Sequence, residues 1–340
     1  MYVDRAIFRQ KTIVSLLRPK TYMVIALQYF VAIELAVFIQ NQSIGAVISG
    51  KISYILVGLF SLACWYINAT SINDLADFEI DKINLKKELD RPLVNNQTNA
   101  GSLVIIAIAS AILGSLMLLI ISWQSSVLFL LLILLNYIYS MPPIRVSYRG
   151  LLAPALLPIG YVVLPFILGT IVVAGSYSAS VVLVLLGLYM LFFSRVLLKD
   201  FRDVKGDKKF GKLTFLLRHS VKVVTATSAF ACTIGVGLLS YFVIKYINMS
   251  WVVVAMLFIL GVTLAFYDEL SKTQKWDQQK MILPSIGRLI TAQTILLVLT
   301  MLVKTETTNL LLSLVMIMSI TIMFFVSAIK NYQAILNGNR

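Results

Sequence analysis

Apolar residues in this chain come in long unbroken runs, not in the alternation of a half-buried strand or the one-faced stripe of a soluble helix. A helix needs roughly 20 apolar residues, within about 17–25, to cross the hydrocarbon core of a bilayer. Ten segments approach that length: 22–40, 52–72, 101–122, 125–140, 152–174, 179–199, 221–244, 250–267, 284–303 and 308–329. Only a short turn around Trp123–Ser125 separates the third from the fourth, which predicts a helical hairpin. The pattern predicts an all-α, polytopic membrane helix bundle. The runs are too long and too continuous for a membrane β-barrel. The first run is also too long for the apolar region of a signal peptide and is expected to be a retained span.

Composition agrees. The chain has 340 residues, 59% hydrophobic and 13% charged, against about 45–50% and about 25% in soluble domains. The net charge of +14 would suggest nucleic acid in a soluble protein. Here Lys and Arg segregate by side. With the N-terminus cytoplasmic, 24 of the 29 fall in alternate connections, and only Lys51, Lys245 and Lys304 face the other way. Such a split is the orientation signal of a polytopic protein, so a lipid bilayer is the expected partner and nucleic acid is not. The expected organisation is a cytoplasmic segment 1–21, one transmembrane domain 22–330 and a cytoplasmic tail 331–340. Cys64 and Cys232 lie inside apolar runs and form no disulfide or zinc pattern.

The charges that do approach the membrane form a repeat. Asp occurs ten times, and six of the ten lie in two octapeptides. Asp74, Asp77 and Asp81 follow the second segment, and Asp200, Asp203 and Asp207 follow the sixth, 126 residues on. Both read D-x-x-D-x-x-x-D-K. Residues at i, i+3 and i+7 share a helix face, and Asn73 joins the first set. Four crossings separate the copies, so both emerge on the same, cytoplasmic side. Stacked carboxylates repel unless cations join them. Mg²⁺ takes oxygen ligands, typically one or two carboxylates plus substrate phosphates. Two such faces predict a pair of Mg²⁺ ions bridging a diphosphate, with Asn73, Asp74, Asp77, Asp81, Asp200, Asp203 and Asp207 as candidate ligands. The plain alternative, two solvated loops, is weakened by the duplication and by the cost of acids near a bilayer.

A diphosphate also needs cationic donors. Lys87 and Arg91 follow the first motif, Lys199 and Arg202 lie within the second, and Arg195 lies four residues before Lys199 inside the sixth segment. Arg suits bidentate phosphate contacts. Lys208, Lys209 and Lys212 are read as ordinary positive-inside charge. The third cytoplasmic connection places Tyr139 and Ser140 at a helix mouth just before Pro142 and Pro143, followed by Arg145. Spacing alone cannot separate this from a stiff turn with interfacial aromatics. Arg18-Pro19-Lys20-Thr21 opens the first span. Glu34 lies within that span and needs a partner, with Arg288 as a candidate. The single histidine, His219, excludes His-based metal sites and Ser-His-Asp chemistry.

Together these residues resemble the UbiA superfamily of intramembrane prenyltransferases. Asn73, Asp74, Asp77 and Asp81 match its first motif, and Arg91-Pro92-Leu93 matches the basic stretch that follows. Asp200, Asp203 and Asp207 match its second motif, Tyr139 through Arg145 its Tyr-Ser-x-Pro-Pro-x-Arg loop, and Arg18-Pro19-Lys20-Thr21 its first-helix start. The resemblance runs in order from about Arg18 to past Thr214. Ser147 departs from it, since many members carry Lys there. The family core has nine spans, so the tenth segment is expected to be an extra C-terminal one. The resemblance implies a polyprenyl diphosphate donor, Mg²⁺ and a lipophilic, aromatic acceptor. It also implies an active site on the cytoplasmic side of a bacterial inner membrane. Asp77, Asp203, Tyr139, Arg195 and Lys199 are expected at the reacting centre. Asn73, Lys87, Arg91, Ser140, Arg145, Arg202 and Arg18 are expected to bind diphosphate and acceptor. A non-aromatic acceptor, such as a carotenoid, a glycerol ether or a sugar phosphate, is the alternative within the family. A cation-coupled transporter is the alternative outside it, but transporter sites usually lie near mid-bilayer, and these acids sit at one interface.

Overall fold

A computed structural model describes residues 10–85, 91–175, 178–273 and 276–305. In chain order the helices are α1 (Gln10–Leu17), α2 (Pro19–Ile39), α3 (Ile44–Ala76), α4 (Phe78–Asn84), α5 (Ala100–Leu119), α6 (Trp123–Ser140), α7 (Leu152–Pro158), α8 (Leu164–Val172), α9 (Ala179–Leu197), α10 (Val204–Lys209), α11 (Phe215–Arg218), α12 (Val221–Phe242), α13 (Ser250–Lys272) and α14 (Trp276–Thr305). Two parallel two-residue strands, β1 (Arg149–Gly150) and β2 (Leu213–Thr214), and four short 3-10 or π turns accompany them. Among the described residues, nine helical segments are long and apolar enough to cross a membrane, ending with Ile282–Thr305. They match the first nine expected spans, and the chain is an all-α polytopic bundle. The tenth expected segment, 308–329, lies outside the described residues, as do Lys87 and the tail 331–340.

Local chemistry explains the ends. Asn99 caps α5 by accepting from the Ser102 amide, and Ser122 and Ser220 cap α6 and α12 in the same way. The expected hairpin is present. The Ser115 and Ser126 hydroxyls meet at 2.8 Å between α5 and α6. Gly114 lets Phe129 approach so closely that a Cβ there would lie 2.3 Å from its ring. Ile105, Ile108, Ile112, Leu116 and Leu119 stay exposed along α5, as a lipid-facing stripe should. The fifth span is not one α-helix. Pro158 ends α7 and Pro165 lies at the start of α8, so Pro165 cannot donate to the carbonyl four residues back. A π turn over Ile159–Val163 takes up the difference, with the Leu164 amide reaching the Ile159 carbonyl.

The chain divides into two compact units. The first comprises residues 1–29, 51–172 and 203–218. In it Leu16, Leu93, Leu103 and Ile106 form a buried cluster, with Ile13, Ile67, Leu75 and Phe78 packed against it. The Thr70 hydroxyl donates to the Leu16 carbonyl, tying α1 to α3. This cluster anchors the Arg91-Pro92-Leu93 turn through Leu93 and fixes the end of α1 just before Arg18.

The second unit comprises residues 30–50, 173–202 and 219–340. In it α9 and α12 approach at Gly187 and Gly235, where a Cβ on Gly235 would lie 2.9 Å from the Gly187 carbonyl oxygen. Small residues permit such contacts between membrane helices. About two turns on, the buried Ser194, Ser228 and Tyr267 share hydroxyl contacts of 2.6 Å and 2.8 Å across α9, α12 and α13. Glu34 is buried and accepts a hydrogen bond from the Thr305 hydroxyl at 3.3 Å.

Candidate functional site

The site begins where α3 ends. The amides of Asp77 and Asp81 still bond four residues back, to the carbonyls of Asn73 and Asp77. The helix nevertheless breaks at Asp77, whose φ of −106° and ψ of 15° are not helical. The second acidic copy breaks at the same place: Asp203 has φ −105° and ψ 3°. In each copy the central Asp thus opens a short helix, α4 or α10, that carries the third Asp. The expectation of one continuous face is met only in part, because each face bends at its middle carboxylate.

Within the first unit α4 and α10 pack together. The Asn84 side chain donates to the Asp203 carbonyl and accepts from the Gly206 amide, both at 2.6 Å. A Cβ on Gly206 would lie 2.7–2.8 Å from the Asn84 amide group, so glycine is what the approach requires. The two acidic repeats are therefore stitched side by side through one asparagine.

Four cations thread these carboxylates. Arg18 contacts Asp74 at 2.6 Å. Arg91 bridges Asp74 and Asp81, at 2.5 Å and 3.0 Å. Arg145 contacts Asp77 at 3.0 Å and also donates to the Ala76 carbonyl. Lys212 reaches Asp77 at 3.1 Å and Asp207 at 3.7 Å, so it joins the first repeat to the second. Asn73 donates to Asp77 at 3.4 Å. Arg18 and Arg145 hold φ values of 42° and 41°. This left-handed region is costly for a residue with a side chain and persists where the surroundings enforce it. In both cases the enforced backbone carries a guanidinium to a motif carboxylate.

Burial sets the electrostatics. Asp74, Asp77, Asp81 and Asp207 are all buried. Burial pushes the Asp81 carboxyl up to about 7; Arg91 pulls it back, and Asp74, Asp77 and Asp203 add to the rise. For Lys212 burial disfavours the charge, but Asp77 and Asp207 outweigh that and raise its pKa. Tyr139, half-buried near the end of α6, lies within electrostatic reach of Lys212, and Ser140 is buried beside it.

Of the expected site residues, the first unit gathers Arg18, Asn73, Asp74, Asp77, Asp81, Arg91, Tyr139, Ser140, Arg145, Asp203 and Asp207. Arg195, Lys199, Asp200 and Arg202 belong to the second unit. There Asp200 is buried, Lys199 and Arg202 are exposed, and Arg195 donates to the Thr291 hydroxyl at 3.4 Å. Lys212 was expected to be ordinary loop charge and is instead largely withdrawn from solvent and ion-paired with Asp77 and Asp207. Its signal was in the sequence. Gly211 (φ 67°) stops α10, and the Lys212 amide reaches back to the Asp207 carbonyl at 2.9 Å. This is the Schellman turn that a glycine after a helix announces, and it folds Lys212 back over the motif.

Among the described residues no three His, Cys, Asp or Glu side chains converge on a point that could hold one metal ion. The donor set nonetheless suits Mg²⁺, which takes one or two carboxylates and completes its shell with phosphate and water. Asp74 Oδ2 is buried and receives no hydrogen bond, a lone pair of the kind such an ion uses.

The chain is 28% identical to digeranylgeranylglyceryl phosphate synthase of Methanococcus aeolicus over 224 residues, 63% of this chain and 74% of that one. It is 27% identical to the chloroplastic 2-acylphloroglucinol 4-prenyltransferase of Humulus lupulus over 193 residues, 54% of this chain but 44% of that one. The fold matches a UbiA homolog from Archaeoglobus fulgidus bound to DMAPP and Mg²⁺, with a TM-score of 0.66 and 17% identity over 85% of this chain and 99% of that one. Residues 30–290 match the model of the UbiA prenyltransferase family, and the chain belongs to that family.

Proposed function

We propose that this membrane prenyltransferase takes an allylic polyprenyl diphosphate and, with Mg²⁺, transfers its prenyl chain to a lipophilic, electron-rich aromatic acceptor. The observation that carries the reading is the Asp77–Lys212–Asp207 bridge, which ties both acidic repeats into one charged cluster. Asn73, Asp74, Asp77, Asp81, Asp203 and Asp207, all in the first unit, would hold two Mg²⁺ ions. Bound there, the ions supply positive charge to the departing diphosphate.

The chain's own residues do the rest. Arg18, Arg91, Arg145 and Lys212 turn from carboxylates to phosphate oxygens and hold the leaving group as the C1–O bond breaks. Arg fits such oxygens in pairs, while Lys acts as a point charge. The bond's electron pair leaves with the diphosphate and the allylic carbon becomes cationic. The acceptor's π electrons attack it, and the ring then loses a proton. The apolar helices around the site keep water from quenching the cation. The active site faces the side rich in Lys and Arg, the cytoplasm of a bacterial cell.

Supporting this reading, one curated relative is named a prenyltransferase, another a digeranylgeranylglyceryl phosphate synthase, and a fold neighbour is bound to DMAPP and Mg²⁺. The test is incubation of membranes with labelled prenyl diphosphates of several lengths and a panel of acceptors, with and without Mg²⁺. The panel includes an acylphloroglucinol and a glyceryl phosphate ether. Asp77→Ala and Asp203→Ala should abolish turnover while the protein still inserts. Full activity in either variant overturns the assignment.

A further inference from the structure

Tyr148 belongs to neither acidic repeat and to no motif read from the sequence. It lies on the short turn Val146–Tyr148, just after Arg145 and just before β1. The Arg145 guanidinium carbon sits 4.0 Å from its ring centroid, and the Lys212 ammonium sits 5.8 Å from the same centroid. Both distances fall within the roughly 6 Å over which an aromatic face attracts a cation. These two cations are the ones that meet on Asp77, one on each carboxylate oxygen.

The arrangement is built by the backbone. β1 and β2 pair in parallel, Arg149 with Leu213 and Gly150 with Thr214. Continued by one residue, that register sets Tyr148 opposite Lys212. The Tyr148 amide donates to the Arg145 carbonyl at 3.1 Å, which closes the turn and brings ring and guanidinium together. The ring is half-buried, so its attraction for the cations is less screened than at a free surface.

We propose that Tyr148 is a positioning residue: its ring holds Arg145 and Lys212 side by side as a paired clamp for the donor's diphosphate. This rests on the proposed function and adds a requirement to it. When Asp77 turns to a metal ion, the two cations lose the carboxylate they share, while Arg145 keeps the Ala76 carbonyl and Lys212 keeps Asp207. The Tyr148 ring is the contact that both still share. The ring face carries this role, so the hydroxyl is dispensable and a larger π face serves as well.

The test uses the full chain in lipid nanodiscs. Binding of Mg²⁺ with inorganic diphosphate is measured by calorimetry, and turnover with a prenyl diphosphate is measured in parallel. Tyr148→Phe and Tyr148→Trp should bind within about twofold of the unsubstituted chain. Tyr148→Leu should bind about tenfold more weakly, the size of two partly desolvated cation–π contacts, and its KM for the donor should rise with it. A residue needed only for bulk would give the opposite order, with Leu tolerated better than Trp. Tyr148→Leu binding like the unsubstituted chain, or Tyr148→Trp binding as weakly as Tyr148→Leu, overturns the assignment of Tyr148 alone. An unsubstituted chain that binds no diphosphate overturns the proposed function and this inference together.

Discussion

At the scale of single residues, Asp81 makes a prediction about pH. Its carboxyl is raised to about 7 from an ordinary 3.8, first by burial, with Arg91 opposing and the neighbouring carboxylates adding. The native chain therefore keeps a proton there that the unfolded chain has released. Stability should fall as pH rises from about 4 to about 7, since over that window the native state binds more protons than the unfolded one. Thermal scans in metal-free buffer check this, and Asp81→Asn should flatten the slope. The acids were legible because spacing alone put them in register twice. Arg18 and Arg91 were legible because each directly precedes a proline, and Arg145 because it follows the Pro142-Pro143 pair by two residues, where position is constrained. Lys212 was hidden among eight basic residues in 199–222. Only tertiary structure separates it from Lys208 and Lys209, which stay exposed, although Gly211 could have pointed to it.

At the scale of elements, the contact of α4 with α10 depends on a missing side chain. Gly206→Ala should force Asn84 aside and break its bonds to Asp203 and Gly206. Overpacking of this kind costs about 1–3 kcal/mol, so the melting temperature should fall, and Asn84→Ala should relieve the clash without restoring the bonds. Apolar run length gave the spans to within a turn or so, but α3 shows where it stops. The run suggested 52–72, whereas the helix is Ile44–Ala76, because a membrane helix continues past the hydrocarbon while its backbone bonds are met. The breaks at Asp77 and Asp203 were not legible. Both residues sit in sequences that helix periodicity fits well, and the break coincides with tertiary contacts: Arg145 and Lys212 on the Asp77 carboxylate, Asn84 on the Asp203 carbonyl.

At the scale of the whole molecule, orientation is the property the charges dictate. Lys209 follows the second acidic motif, and Lys51 lies in the first turns of α3, on the side expected to be poor in basic residues. With Cys64 and Cys232 both buried, single cysteines placed by Lys51→Cys and Lys209→Cys should react with a membrane-impermeant thiol reagent from opposite sides. Labelling of both from one side would contradict the topology. The polytopic class was legible because lipid leaves the backbone few options. Acceptor choice was not, since it depends on how apolar side chains shape a cavity, and relatives with differently named products match at nearly equal identity.

The balance of the charged cluster has a consequence for the order of events. Once Asp81 has given up its proton, Asp74, Asp77, Asp81 and Asp207 face Arg18, Arg91, Arg145 and Lys212, four against four. Pyrophosphate arriving alone would draw away the guanidinium groups and strand neighbouring anions in a poorly solvated place. A divalent ion arriving alone would strand the positive groups instead. Stranding a buried ion costs more than exchanging its partner, so neither half of the cargo is welcome without the other. Under the proposed function, such a protein would resist idle loading by magnesium or free phosphate and respond to the two when they come as a complex.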